Sequence, residues 1–233
     1  MSLIELVPVF QPIVDVMGTV KPIGYEALIR GRGVVRFRSA KDVFENADEH
    51  GGNRMLDLKI RDLHLEQGPP ILRGNEKLFF NLPQHAFFDD SWLVLRSYAN
   101  RLVIEINEYV QVNDRQAEWL LDFRNYGAEI AIDDYGDGHT SVKSLSRLNP
   151  EYLKMGMSFI KHRDYESIRK IRRFAEDWGA KLIVEGVETE MEAYAVMDAG
   201  VRYIQGFLYG KPHEAHHWAD SRRWRGVHQS VPP

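Results

Sequence analysis

Residues 101–135 read RLVIEINEYVQVNDRQAEWLLDFRNYGAEIAIDDY, and they contain one complete strand–helix–strand unit. The run 101–107 is short, aliphatic and β-branched, as a buried strand is. In 114–126, Trp119, Leu120 and Phe123 share one face while Asp114, Arg115 and Glu118 lie opposite, the pattern of an amphipathic helix. Gly127 closes that helix as a C-terminal cap, and 129–135 begins the next strand.

The same punctuation recurs outward in both directions. Strand-like runs fall at 8–15, 22–30 and 77–83 upstream, and at 152–157, 181–187 and 203–209 downstream. Helical patterns at 40–50, 54–67, 91–99, 164–178 and 188–199 alternate with them, and Gly179 and Gly200 repeat the capping role of Gly127. Only the first two strands follow one another directly. Eight strands in 233 residues predict an α/β fold, a TIM-like (β/α)8 barrel at the compact end of its size range. A doubly wound open sheet is the structural alternative. No low-complexity linker, sustained heptad or break in composition divides the chain, so a single domain is expected over 1–233, with 216–233 as a closing helix and tail.

Composition removes several classes of function. Lys and Arg total 30 against 34 Asp and Glu, a formal charge of −4, which argues against a grip on a nucleic acid polymer through bulk positive charge. With no cysteine, disulfide scaffolds, Cys-ligated zinc and thiol catalysis are excluded. The charge-free run Leu6 to Val14 spans nine residues and contains two prolines, far below the ~20 apolar residues of a membrane helix. No secretory signal is visible at the N-terminus. A cytoplasmic protein without membrane insertion is the expectation.

What interrupts the strands is more informative. Seven of the eight carry a polar group within or just after their apolar stretch: Glu26, Asn81, Glu105, Asp133 with Asp134, Lys154, Glu185 and Gln205. One such group is explained by local hydrogen bonding at a strand end. A strand-by-strand series points instead to convergence, because the C-terminal ends of barrel strands meet at one mouth. Five carboxylates and an amide oxygen make a hard, oxygen-rich ligand set suited to Mg²⁺ or Mn²⁺. Side chains alternate along a regular strand, so adjacent Asp133 and Asp134 can both reach the mouth only where the chain leaves pleated geometry. There one of them could bridge two ions, and two metals ~3.5–4 Å apart are the usual device for in-line attack on a phosphodiester.

These residues carry a resemblance. Glu26-Ala27-Leu28 followed by Arg30 resembles the signature of the EAL-domain family, the bacterial cyclic di-GMP phosphodiesterases. Phe10-Gln11-Pro12-Ile13 is similar to that family's opening strand, and Asn81 falls at its metal-binding asparagine. Glu105-Ile106-Asn107-Glu108 resembles its E-x-T-E segment, with Asn for Thr. Asp133 to Gly138 resembles D-D-F-G-T-G, Glu185 to Thr189 matches E-G-V-E-T, and Gln205-Gly206 matches a late Q-G. The likeness covers roughly 8–215. It implies a modified barrel with one antiparallel strand, and hydrolysis of cyclic di-GMP to linear pGpG with two ions, Mg²⁺ or Mn²⁺.

By the same resemblance, Glu26, Asn81, Glu105 and Asp133 would hold one ion, with Asp133 bridging to a second beside Asp134 and Glu185. Lys154, Glu185 and Gln205 would form the catalytic set, with Lys154 orienting or deprotonating the attacking water and Gln205 placing that water or completing the shell of the second ion. Gln11 and Arg30 would contact the substrate, and Glu108 would brace the loop after strand five. A homodimer is implied as well. The alternative is a receptor that binds cyclic di-GMP, turns it over weakly or not at all, and signals to an unidentified partner. Gly156 motivates it, because the family's K-x-D pattern is here Lys154-Met155-Gly156, without the Asp that supports the second ion. Asp137 and His139 also depart from the family's Thr and aromatic residue.

Three further motifs are expected to be incidental. His213-Glu214-Ala215-His216-His217 spells H-E-x-x-H, but the longer zinc-protease pattern fails at Asp220 and Arg223. The cluster Arg222, Arg223 and Arg225 around Trp224 reads as an ordinary surface tail. Gly31-Arg32-Gly33 lacks a following helix signature and reads as a loop.

Overall fold

The computed structural model describes residues 5–32, 53–107, 109, 112–136 and 142–219. The expected helix at 40–50, together with Gly33, Glu108, Asp137, His139, Asp220 and the Arg222–Arg225 cluster, lies outside the described residues.

Eight strands close into a barrel in sequence order. They are β1 (Glu5–Asp15), β2 (Lys21–Arg32), β3 (Lys77–Asn81), β4 (Leu102–Asn107), β5 (Glu129–Asp133), β6 (Tyr152–Met155), β7 (Lys181–Val184) and β8 (Tyr203–Gln205). Strands β2 to β8 run parallel, and β1 is antiparallel to both neighbours, β2 and β8. The first connection is therefore a hairpin, and closure sets aside the open sheet.

The helices are α1 (Asn53–Gln67), α2 (Asp114–Asn125), α3 (Val142–Leu148), α4 (Ser158–Lys161), α5 (Tyr165–Asp177), α6 (Glu190–Asp198) and α7 (Ala215–Ala219). Local chemistry sets several ends. Asn113 and Gln116 form a reciprocal capping box before α2, as Thr189 and Glu192 do before α6. Gly127, Gly179 and Gly200 follow α2, α5 and α6 with φ of +96°, +75° and +85°. The expected helix at 91–99 is instead a 3-10 helix, Asp90–Arg101. Trp92, Leu95 and Tyr98 all pack into the core, a spacing of three that matches the tighter helix.

Two-residue alternation sorts the barrel interior into layers. Leu78, Phe80, Leu102 and Ile104 face outward and join the main core beneath the helices. Their alternates Phe79, Val103, Ala131, Tyr152 and Ile183, with Ile13 from β1, form a separate apolar cluster. Two residues further along the same faces stand Asn81, Glu105, Asp133, Lys154 and Glu185; two residues back stand Lys77, Arg101, Glu129 and Lys181. An apolar plug thus divides two polar ends.

Outside the barrel, His64 of α1 is buried between Phe10 and Phe80 with its Nε2 2.9 Å from Leu28 O. Burial pulls its pKa from 6.5 down to about 4, against the raising effect of that hydrogen bond. Between these values the unfolded chain takes up a proton that the folded chain refuses, so stability falls as pH drops through the window. The expected loss from His64 alone is about 2 kcal/mol at pH 5. Urea titrations at pH 7 and pH 5 check it: His64→Gln should reduce the difference by that amount, and an unchanged difference would count against the assignment.

Candidate metal and phosphodiester site

The polar groups at the C-terminal ends of the strands meet around one lysine. Lys154 is fully buried on β6, with Nζ 2.7 Å from Glu105 Oε1, 2.8 Å from Glu185 Oε1, 3.0 Å from Asp133 Oδ1 and 3.6 Å from Glu26 Oε2. Burial alone would lower the lysine's pKa. Asp133, Glu105, Glu185 and Glu26 reverse that and hold the ammonium well above its usual range.

The carboxylates bear the cost of this crowding. Burial pushes Glu105 well above the usual carboxylate range, Lys154 opposing and Glu26 and Asp133 adding to the rise. Burial likewise carries Glu185 up to about 8, with Asp133 and Glu26 reinforcing it against Lys154. One ammonium has three protons to offer and cannot neutralise four carboxylates, of which Glu26 and Glu105 are buried and Asp133 and Glu185 partly so.

Adjacent elements orient the rest of the ring. Asn81, exposed at the end of β3, donates through Nδ2 to Glu105 Oε2 at 3.0 Å and to Glu26 Oε1 at 3.4 Å. Gln205 on β8 donates to Glu26 Oε2 and, at 3.3 Å, to Gln11 Oε1. Gln11 lies opposite Glu26 in the β1–β2 register and donates to Gly210 O at 3.2 Å. Gly206 lets the chain turn away directly after Gln205, since a Cβ there would stand 1.9 Å from Val187 O.

Asp133 ends β5, and Asp134 follows with φ +57°, leaving the pleat so that both carboxylates serve the same mouth. A non-glycine residue in that conformation costs on the order of 1 kcal/mol. Two bonds hold the turn: Tyr135 N donates to Lys154 O at 2.8 Å, and Asn107 Nδ2 donates to Asp134 Oδ2 at 3.2 Å. Asn107, which stands where the resembling segment has Thr, is thus a site residue. Its signal was its place two residues after Glu105 on the same strand.

Two clusters have ligand atoms within 4.8 Å of one another: Glu26, Glu105 and Asp133, and Asp133, Asp134 and Glu185. Asp133 belongs to both. The donors are all oxygen, and the buried Gln205 Oε1 has no hydrogen-bond partner. The excess negative charge and the hard donors fit divalent cations.

Arg30 is not drawn into the ring. It stands half-buried four residues beyond Glu26 on β2, and its Nη1 donates to Ile29 O at 2.7 Å. The H-E-x-x-H stretch forms no helical metal site, because the helix begins only at Ala215 while His213 bridges to Phe10. The segment is anchored to the barrel instead, since Trp218 is buried and donates to Phe10 O at 2.7 Å.

Comparison with known proteins places this geometry in context. A family model described as the EAL domain matches residues 2–212. Among curated relatives, the "Probable cyclic di-GMP phosphodiesterase PdeN" of Escherichia coli K12 is 29% identical over 224 residues, covering 87% of this chain and 42% of PdeN. The chain spans less than half the length of the curated relatives it matches. Among solved structures, the PaMucR phosphodiesterase in complex with c-di-GMP is 26% identical with a TM-score of 0.77, covering 91% of this chain and 93% of that one. BlrP1 of Klebsiella pneumoniae, solved with manganese and cyclic di-GMP, is 24% identical with a TM-score of 0.77, covering 90% and 56%. At that identity the likeness to BlrP1 is one of fold.

Proposed function

The chain belongs to the EAL-domain family, and from that membership we propose that it hydrolyses cyclic di-GMP to linear pGpG with divalent cations, Mg²⁺ or Mn²⁺. The observation that carries this reading is the ring of four carboxylates around the single buried Lys154. Glu26, Asn81, Glu105 and Asp133 hold a first cation in this reading, and Asp133, Asp134 and Glu185 a second. Such cations, when bound, lower the pKa of water and neutralise charge on the phosphate. Lys154, kept cationic, orients water between the carboxylates, and the free Oε1 of Gln205 accepts a hydrogen bond from that water. Arg30 offers a planar fork to a phosphate oxygen, Gln11 contacts the substrate, and Glu108 braces the loop after β5.

The same reading takes 1–233 as one barrel domain acting in the cytoplasm as a homodimer. No helix among the described residues is long and apolar enough to cross a membrane. Sedimentation showing a strict monomer at tens of micromolar would count against the dimer. Incubating pure protein with cyclic di-GMP and either metal, then separating the nucleotides, tests the function directly. pGpG is expected under Mg²⁺ or Mn²⁺ and not in EDTA. Folded protein that binds the dinucleotide under both metals without forming pGpG would support a receptor signalling to a partner.

Gly156 stands where the family's K-x-D pattern has Asp, so weak occupancy of the second site is expected. It is buried two residues beyond Lys154, and it is not among the described glycines with positive φ. Its backbone therefore does not itself demand glycine. Gly156→Asp is expected to lower the Mn²⁺ concentration for half-maximal rate several-fold, because it adds a carboxylate beside Glu185. An unchanged metal dependence in a folded variant would remove the second-site argument while leaving the family reading intact.

A further inference from the structure

A cavity of about 940 Å³ lies at the end of the barrel away from the carboxylate ring. The N-terminal ends of the strands and the hairpin joining β1 to β2 build its wall, and the apolar plug is its floor. Lys21, Arg73, Lys77, Arg101, Lys181 and Arg202 line it, against the carboxylates of Asp15, Glu76 and Glu129. Six cations against three anions leave an excess of three positive charges, on a chain whose net charge is −4.

Internal pairing does not consume that excess. Arg202 is held by Asp15 through two hydrogen bonds of 3.0 and 2.7 Å, and Lys77 stands 3.9 Å from Glu129. Among the described residues, Lys21, Arg73, Arg101 and Lys181 form no ion pair, leaving four cations to one carboxylate, Glu76. Arg101 has a buried guanidinium nitrogen, Nη2, without a hydrogen-bond acceptor. Lys181 lies over the ring of Tyr152, 4.9 Å from its centroid, and Tyr203 completes the inner wall.

We propose that this basin is a second binding site, for a small phosphorylated anion of nucleotide size. Its volume falls in the range of small-molecule sites. Lysine point charges and arginine forks together suit phosphate oxygens. A concave pocket ringed by strand ends takes a compact ligand in preference to an extended chain. The ring of the proposed active site carries excess negative charge when metal-free and repels such a ligand, so the two ends are separable by experiment.

Isothermal calorimetry in EDTA, with inorganic tripolyphosphate and with GTP as probes, tests this. One molecule per chain should bind, and Lys21→Gln/Lys181→Gln, which removes two cations, should weaken it by about tenfold or more, equivalent to about 1.4 kcal/mol. Arg73→Gln, at an exposed position, provides a second variant should the first fold poorly. Equal binding of the two probes identifies the phosphates as the recognised group, and tighter GTP binding adds a contact to the nucleoside; both support the site. Absence of binding at millimolar probe, equal affinity for sulfate, or affinity unchanged in both variants would overturn it. None of these outcomes depends on hydrolysis of cyclic di-GMP.

Discussion

Glu105→Ala is expected to abolish hydrolysis of cyclic di-GMP through loss of metal binding, with the barrel intact. Glu105 has no exposed surface, accepts from Asn81 at 3.0 Å and faces Lys154 at 2.7 Å, so no neighbouring group can take its place. Burial is the foremost influence on its carboxyl and opposes its charge. Removing a carboxylate from an over-crowded ring relieves repulsion among the remaining three, which offsets the lost contacts. Stability should change little while Mn²⁺ affinity and turnover fall by more than the ~10–100-fold typical of removing an outer-shell partner. Calorimetric Mn²⁺ titration beside thermal melting separates the two effects. Wild-type metal affinity in Glu105→Ala would refute the ligand assignment.

Lys154→Met should have the largest effect on stability. It preserves most of the side chain's volume while removing the ammonium that four carboxylates share. Leaving buried charge uncompensated typically costs about 3–5 kcal/mol. The loss is expected in EDTA near neutral pH and should shrink when Mn²⁺ is added, because a divalent cation supplies the missing positive charge. It should also shrink on acidification, as the carboxylates take up protons. Turnover should remain lost under all these conditions, since the group that orients water is gone. Urea denaturation with and without metal reads the contrast; equal stability with EDTA and with Mn²⁺ would show that metal does not occupy this ring.

Much of this arrangement was legible because polar groups inside apolar strands are expensive and therefore informative. Glu26, Glu105, Lys154 and Gln205 stood out against aliphatic neighbours, and the barrel brings all four together. The paired aspartates were legible as a strand end, which Asp134 provides by turning to φ +57°. The basic basin was not legible from the strands singly. Lys77, Arg101 and Lys181 sit at strand starts, where charged residues are ordinary, and only closure of the barrel makes them neighbours. The pattern Lys77-Phe79-Asn81, Arg101-Val103-Glu105 and Lys181-Ile183-Glu185 nonetheless carried the layering in every second residue. The 3-10 geometry of Asp90–Arg101 was hidden by the resemblance of its i, i+3 apolar spacing to an α-helical stripe. Helix α4 is four residues long, too short for periodicity to reveal.

The most direct measurement is the number of Mn²⁺ ions bound per chain, counted by equilibrium dialysis with and without cyclic di-GMP. The carboxylate ring should take up one Mn²⁺ tightly and a second at higher concentration, the second binding more firmly with the dinucleotide present. Glu26→Ala, measured in parallel, should lose the tight ion. A wild-type chain that binds no more Mn²⁺ than Glu26→Ala would contradict the assignment of this ring as a metal centre.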